Sequence, residues 1–241
     1  IRDSVASRGL GDVYKRQVVK SLQQRLIYDL MRPVVIGTVL DTTKALNAIG
    51  SSDTVIAVDS PSEVTAKPGL VEVYSPGEWE GIDFPVGVHD ADSGAASHFW
   101  VEEAANLCMD GRVDGMVTAP VNKESWHMAG SKDTGHMEVF KRLSESQYVA
   151  TMLVSGPMRC MHLSPHKPLI EAAKYVTTSN IMTATRLTQK HFKEWGFNEE
   201  GRGAASQETK ILGRSAHTTG NGETLRNIAQ DCFRGTWNPL H

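Results

Sequence analysis

Short apolar segments alternate with amphipathic segments along most of the chain, and this alternation constrains the fold more than any other feature. Apolar runs typical of buried strands lie at residues 33–37, 54–58 and 113–118. Segments with helical periodicity flank or separate them, at residues 18–31, 41–49 and 94–109. A chain that alternates in this way buries its apolar faces most readily as an α/β domain. The sequence therefore predicts an α/β fold with a largely parallel sheet.

Longer loops separate the other predicted elements. Residues 60–90 are rich in proline, glycine and acidic groups, and they predict loops with short strands around Val71 and Val86. Ser93 is the predicted N-cap of the helix that follows, because a serine hydroxyl can accept a hydrogen bond from a free backbone N–H. The later predicted elements are strands at 148–155 and 159–163 and a helix at 179–195.

The two ends of the chain depart from this pattern. Residues 1–17 are basic, begin without methionine and have no sustained apolar period. We expect them to be a disordered or artefactual leader that contributes nothing to the fold. Residues 198–241 are polar and glycine-rich with little periodicity, and we interpret them as an irregular tail of uncertain origin. The predicted organisation is therefore one α/β region, residues 18–197, between two ends of a different kind.

Charge and cysteine content exclude several classes of protein. The formal net charge is −3 and there is no strongly basic block, so nucleic acid is not an expected partner. No run approaches the roughly 18 apolar residues of a membrane span, so no membrane is expected either. The three cysteines, Cys108, Cys160 and Cys232, are far apart. They predict no disulfide framework and are typical of the reducing cytoplasm.

Residues 116–143 are the segment that points to chemistry. An apolar run gives way to a polar loop, and an amphipathic pattern typical of a helix begins after Gly135. Asp133 or Thr134 is the predicted N-cap. His136 would then lie in the first helical turn, where free N–H groups and the helix dipole favour an anion. A histidine there suits a phosphorylated substrate, whereas a lone Gly-His pair is more often an ordinary helix start.

A second group of histidines lies further along the chain. His162 and His166 are four residues apart, but Pro165 and Pro168 exclude a regular helix between them. Two metal ligands on one helical face, as in an HExxH motif, are therefore not predicted. By spacing alone, both histidines are interpreted as loop residues.

Three motifs, in the same order, resemble signature segments of the 4-hydroxythreonine-4-phosphate dehydrogenase (PdxA) family. They are TAPVNKE at 118–124, TGHMEVF at 134–140 and HKPL at 166–169. The resemblance implies a substrate-binding set made of His136, Met137, Lys123 and Asn122. Lys123 would neutralise a phosphate or carboxylate, and Asn122 would orient a substrate oxygen.

The same resemblance implies a divalent metal. His166 matches the metal-binding histidine of the family's THxPL segment, and His217, in RSAHTTGNGE, is faintly similar to the histidine of its NPHAGE segment. Zinc, magnesium or cobalt is the expected ion. Such an ion can polarise a substrate hydroxyl and stabilise the alkoxide that develops from it.

The family implies a fold and a reaction. The fold is the α/β arrangement of isocitrate and isopropylmalate dehydrogenases, two lobes with a cleft between them, here with an incomplete C-terminal part. The reaction is the oxidation of 4-phosphooxy-L-threonine by NAD or NADP in vitamin B6 biosynthesis, followed by decarboxylation to 3-amino-2-oxopropyl phosphate. A small phosphorylated substrate and a homodimer are the implied partners.

Two other interpretations stay open. Met137 stands where the family has threonine, and methionine makes no ordinary hydrogen bond. This favours a sister dehydrogenase that acts on threonate 4-phosphate or a dihydrodiol. The family's YHDQG segment has no counterpart in the sequence. This favours an inactive fragment or a non-catalytic binding protein.

Overall fold

Helices alternate with parallel strands through the first part of the computed structural model, as the sequence pattern predicts. The structure describes residues 11–85, 87–155, 158–164 and 167–195. The chain divides into two units, Ile1–Val149 and Ala150–His241. In the first unit the helices are α1 (Gly11–Leu22), α2 (Arg25–Leu30), α3 (Val39–Ala48), α4 (Ala91–Met109), α5 (Lys123–Met128) and α6 (His136–Leu143). Its strands are β1 (Val35–Ile36), β2 (Thr54–Val58) and β3 (Leu70–Tyr74).

The three strands form a parallel sheet in the order β1-β3-β2. The central strand β3 is buried on both faces, since Val71, Glu72 and Val73 are all at most 3% exposed. The Glu72 carboxylate accepts hydrogen bonds from the backbone N–H groups of Thr65 and Ala66, both at 2.7 Å, which satisfy a charge inside the sheet. These strands confirm the predicted α/β fold with a parallel sheet.

Two apolar clusters make the core of this unit. One lies on the sheet, where α1 and α3 contribute Val19, Leu22 and Leu46. The other joins α4, α5 and α6 through ten buried residues that include Trp100, Trp126 and Val139. The second cluster positions the polar residues described below, because it fixes these three helices against one another.

Residues 11–17, which the sequence assigns to the leader, belong to helix α1 in the structure. Lys15 forms an ion pair with Asp41 of α3 at 3.3 Å, and both side chains are at most 16% exposed. The apolar residues Val19 and Leu22 hold the end of α1 on the sheet, so the helix continues backwards from an anchored turn. Residues 1–10 lie outside the described residues.

Two local predictions, one after α4 and one at its start, also differ from the structure. Residues 113–118 form bends and a single bridge at Thr118 rather than a strand. Val113 is buried in the core, but Asp114-Gly115 turns the chain, so the apolar run does not pair along a sheet.

The N-cap of α4 is Asp90 and not the predicted Ser93. The Asp90 carboxylate accepts from the N–H of Ser93 at 2.7 Å. The strand predicted around Val71 is β3, and Val86 lies outside the described residues.

The second unit is smaller in its described part. It contains strands β4 (Met152–Ser155) and β5 (Met158–Met161) and helices α7 (Leu169–Tyr175) and α8 (Thr178–Glu194). The two strands pair antiparallel, so the parallel arrangement does not extend to them. Helix α8 begins one residue before the predicted start, because Thr177 caps it by accepting from the N–H of Asn180.

Within the ranges given above, no helix combines the length and apolar character that crossing a membrane requires. Cys108 and Cys160 are free thiols.

Candidate functional site

Asn122 and Lys123 lie at the start of α5, where the TAPVNKE segment ends. Asn122 is the N-cap, and its Oδ1 accepts from the N–H of Ser125 at 2.9 Å. Its Nδ2 donates to Nδ1 of His89 at 2.9 Å. The ring proton of His89 therefore lies on Nε2, which is 2.8 Å from the Glu124 carboxylate. Both ends of the Asn122 amide are thus engaged by the protein, and only its second N–H could meet a ligand.

Lys123 reaches the beginning of α6. The exposed Lys123 ammonium is 3.9 Å from the point where a β-carbon on Gly135 would lie. Gly135 is the N-cap of α6 in an extended conformation, with no side chain to bond the first N–H groups. The predicted caps, Asp133 and Thr134, are therefore wrong. A positive side chain and the positive end of a helix dipole come together here, beside the Glu138 carboxylate, whose nearest oxygen is 3.6 Å from the same point.

His136 is the first residue of α6, and its ring points into the protein. Its Nε2 is buried and has no hydrogen-bond partner among the residues that the structure describes. Burial, and secondly the positive charge of Lys123, hold the pKa of His136 below its ordinary value. The imidazole therefore favours its neutral form, and its buried Nε2 is left without a bond.

Trp126 lies between His136 and His98, a histidine of helix α4. Its indole ring is fully buried and lies edge-on to both imidazoles, with centroid distances of 4.8 Å to His98 and 5.9 Å to His136. Its Nε1 donates to the hydroxyl of Ser97 at 2.9 Å, so the polar atom of this ring is satisfied. Phe140, one turn along α6, has its ring centroid 6.1 Å from that of His136. Aromatic contacts therefore hold the His136 ring on two sides.

An ion-pair network lies beside this aromatic group. Asp133 accepts from Nε2 of His98 at 2.9 Å and from Nη2 of Arg142 at 2.7 Å. The same guanidinium nitrogen also donates to Glu102. Burial opposes the ionisation of Asp133, but the hydrogen bonds from Arg142 and His98 outweigh it and hold its pKa below the ordinary value. The bonds to Asp133 and Glu102 raise the pKa of Arg142.

This network also contains a group of potential metal ligands. His98, Glu102 and Asp133 offer ligand atoms that lie within 4.8 Å of one another. Arg142, however, donates to both carboxylates, and a guanidinium keeps its charge at every accessible pH. A divalent cation would have to displace that guanidinium and would meet a like charge. The donor set therefore fits an ion-pair network and does not fit a metal centre.

The structure brings together the four residues predicted to bind substrate. Lys123 and His136 converge at the start of α6, Met137 is half-buried in the same turn, and Asn122 precedes Lys123. The predicted metal ligands His166 and His217 lie outside the described residues.

Sequence reasoning missed several residues that surround this group: His89, His98, Glu102, Trp126 and Arg142. One signal was available, since the (i, i+4) spacing of His98 and Glu102 places both side chains on one face of a helix. The other partners are separated by long stretches of sequence.

A family model described as "Pyridoxal phosphate biosynthetic protein PdxA" matches residues 29–203. The chain is 29% identical over 206 residues to a D-threonate 4-phosphate dehydrogenase of Cupriavidus necator, covering 85% of this chain and 59% of that protein. It is 27% identical over 172 residues to a 4-hydroxythreonine-4-phosphate dehydrogenase of Trichlorobacter lovleyi, covering 71% of this chain and 51% of that protein.

A solved structure gives the same result. The crystal structure of a 4-hydroxythreonine-4-phosphate dehydrogenase from Burkholderia phymatum matches with a TM-score of 0.69 and 27% identity, over 77% of this chain and 56% of that one. The chain thus spans between 51% and 59% of the length of these three proteins.

Proposed function

Because the chain belongs to the PdxA family, whose model covers residues 29–203, we propose that it acts as a dehydrogenase on a small phosphorylated hydroxy acid. NAD or NADP, when bound, would accept a hydride from the substrate's C–H bond, while the hydroxyl proton leaves and the hydroxyl carbon becomes a ketone. When this ketone lies β to the carboxylate, the bond to the carboxylate carbon breaks, CO2 is released, and the carbon left behind takes up a proton.

One observation carries this proposal: the buried, unpartnered Nε2 of the neutral His136 beside Lys123. A buried polar atom without a partner costs roughly 1–3 kcal/mol. A phosphate oxygen that reached His136 would remove this cost, and Lys123 would supply the compensating charge. The phosphate end of the substrate is therefore assigned to the start of α6. Asn122 has its second N–H available for another substrate oxygen.

The proposed divalent metal and nicotinamide cofactor rest on the family alone. The residues matched to metal ligands, His166 and His217, lie outside the described residues, and the described group around Asp133 does not fit an ion. A homodimer is proposed on the same family ground.

The first candidate substrate is 4-phosphooxy-L-threonine, which would give 3-amino-2-oxopropyl phosphate for vitamin B6 biosynthesis. The second is D-threonate 4-phosphate, the compound in the name of the Cupriavidus necator relative. The two compounds share the phosphate and differ at C2, which carries an amino group in one and a hydroxyl in the other. Met137, beside His136, stands where the family has threonine and makes an ordinary hydrogen bond to neither group, so its departure from threonine favours a substrate other than the first.

The test measures binding and turnover of both compounds by the same protein. Calorimetric titration with each compound, and with 4-hydroxy-L-threonine as the unphosphorylated control, reports whether the phosphate is recognised. Formation of NADH or NADPH is then followed with zinc, magnesium or cobalt added. Turnover of one compound over the other selects the substrate. Binding without turnover would indicate a non-catalytic binding protein, and failure to bind either compound would contradict the proposal.

A further inference from the structure

We infer that His98, Glu102, Asp133 and Arg142 form a positioning network that fixes the His136 side chain for the phosphate group. The inference rests on the proposed function of His136. None of the four residues is assigned a contact with substrate. Their role is to hold in place the short segment from which the phosphate-binding histidine projects.

The placement of the four residues along the chain supports this role. His98 and Glu102 lie one turn apart on the long helix α4. Asp133 lies three residues before His136, and Arg142 lies six residues after it. The network therefore ties both sides of the His136 segment to one face of α4. A displacement of the start of α6 would have to break hydrogen bonds at Asp133, at Arg142 or at both.

Burial distinguishes the bond between His98 and Asp133 from an ordinary surface ion pair. The side chains of Asp133 and His98 are 12% and 18% exposed, and those of Glu102 and Arg142 are 28% and 47% exposed. Exposed pairs are screened by solvent and contribute little. Here the central acceptor, Asp133, is shielded from water and receives two donors at once, and one of them also bonds Glu102.

The aromatic group gives the network a second connection to His136. His98 donates to Asp133 through Nε2, since a carboxylate only accepts, and its ring rests edge-on against Trp126. Trp126 in turn rests against His136. A change in the orientation of His98 is therefore transmitted to His136 through one fully buried ring. Packed side chains of this kind transmit displacements because they leave no empty space.

The negative charge of Asp133 provides a test that distinguishes a positioning role from a direct electrostatic effect on the bound anion. Asp133→Asn keeps the shape of the side chain and one acceptor oxygen, but removes a negative charge close in sequence to the anion site. If Asp133 acted only through its charge, this change would tighten anion binding. If Asp133 positions His136, the change weakens anion binding, because the two donors lose a shared charged acceptor.

The experiment compares Asp133→Asn and His98→Gln with the control Lys141→Gln, an exposed residue on α6 next to Arg142. Inorganic phosphate and 4-phosphooxy-L-threonine are titrated calorimetrically into each protein. We expect both network variants to bind about tenfold more weakly, within the range of coupling between contacting residues. Lys141→Gln should show a smaller loss. Tighter binding by Asp133→Asn would overturn the inference.

A second readout does not depend on substrate. The imidazole resonances of His136, identified by their loss in His136→Gln, report the environment of the ring directly by NMR. They should shift in Asp133→Asn and in His98→Gln and stay unchanged in Lys141→Gln. Unchanged resonances in both network variants would overturn the positioning role. If the wild-type protein binds neither phosphate compound while the resonances shift as expected, the proposed function fails and the positioning stands.

Discussion

Gly94 and Ser125 are in direct backbone contact where α4 crosses α5. A β-carbon on Gly94 would lie 2.0 Å from the carbonyl oxygen of Ser125, a distance that no structure tolerates without displacement. The contact lies at the start of both helices, and α5 begins with the proposed phosphate-binding Lys123. The close approach of two backbones therefore sets how far Lys123 stands from the rest of the site.

Gly94→Ala should separate α4 from α5. We expect a loss of about 1–3 kcal/mol in the free energy of unfolding, typical of overpacking, since the clash involves backbone rather than a flexible side chain. Urea denaturation measures the change. Gly115→Ala is the matched control, because a β-carbon there has no neighbour within 4 Å. Equal stability of the two variants would show that the helices separate without cost.

His136→Ala should weaken the proposed substrate interaction. We expect kcat/KM, or the binding constant if turnover is absent, to fall at least about tenfold, which is roughly 1.4 kcal/mol. The control is His127→Ala, which removes an exposed imidazole from the nearby helix α5. The assignment of His136 to the phosphate fails if the two variants bind equally well.

The depressed pKa of His136 should make stability depend on pH. Below the ordinary histidine pKa of about 6.5, the unfolded chain binds a proton that folded His136 does not. The free energy of unfolding therefore falls as the pH drops through this value, and levels off below the pKa of the folded state.

Asp133 affects stability in a different pH range. Its lowered pKa gives a contribution that is present above about pH 4 and is lost at more acidic pH.

His136→Gln removes the histidine component of this dependence. Denaturation curves measured between about pH 5 and 8 should show a shallower fall in the variant than in the wild type. The exposed His127→Gln serves as control. Parallel pH profiles of His136→Gln and wild type would show that the buried imidazole does not resist protonation.

Lys15→Met should destabilise the protein, although the sequence predicts that residues 1–17 lie outside the fold. The change removes the ammonium group that pairs with the largely buried Asp41. We expect a loss of about 2 kcal/mol, below the roughly 3–5 kcal/mol reported for fully buried pairs. Lys20→Met, at an exposed position of the same helix, is the control. A melting temperature unchanged by Lys15→Met would restore the predicted boundary at residue 17.

The sequence predicts those parts of the structure that local pattern determines. The strand at 54–58 agrees with β2 in both bounds, because a β-branched apolar run lies between polar turn residues. The apolar run at 113–118 satisfies the same pattern and forms no strand. Pairing depends on a neighbouring strand, which a local pattern does not report.

The candidate site shows the same limit. The position of His136 at a helix start is predictable because an amphipathic pattern follows it, whereas the sequence predicts a loop where Lys123 begins helix α5. The contact between His98 and Asp133 joins residues 35 positions apart, on a helix and a loop that only the packing of Trp126 brings together. Such a pair has no local signature.

The burial of Trp126 gives the site an optical consequence. An indole ring that water does not reach, placed between two imidazoles, has emission that responds to the protonation and position of those rings. A ligand that engages His136 would therefore change the fluorescence of the protein itself, without an added dye. The part of the emission that disappears in Trp126→Phe would report occupancy of the site during a titration.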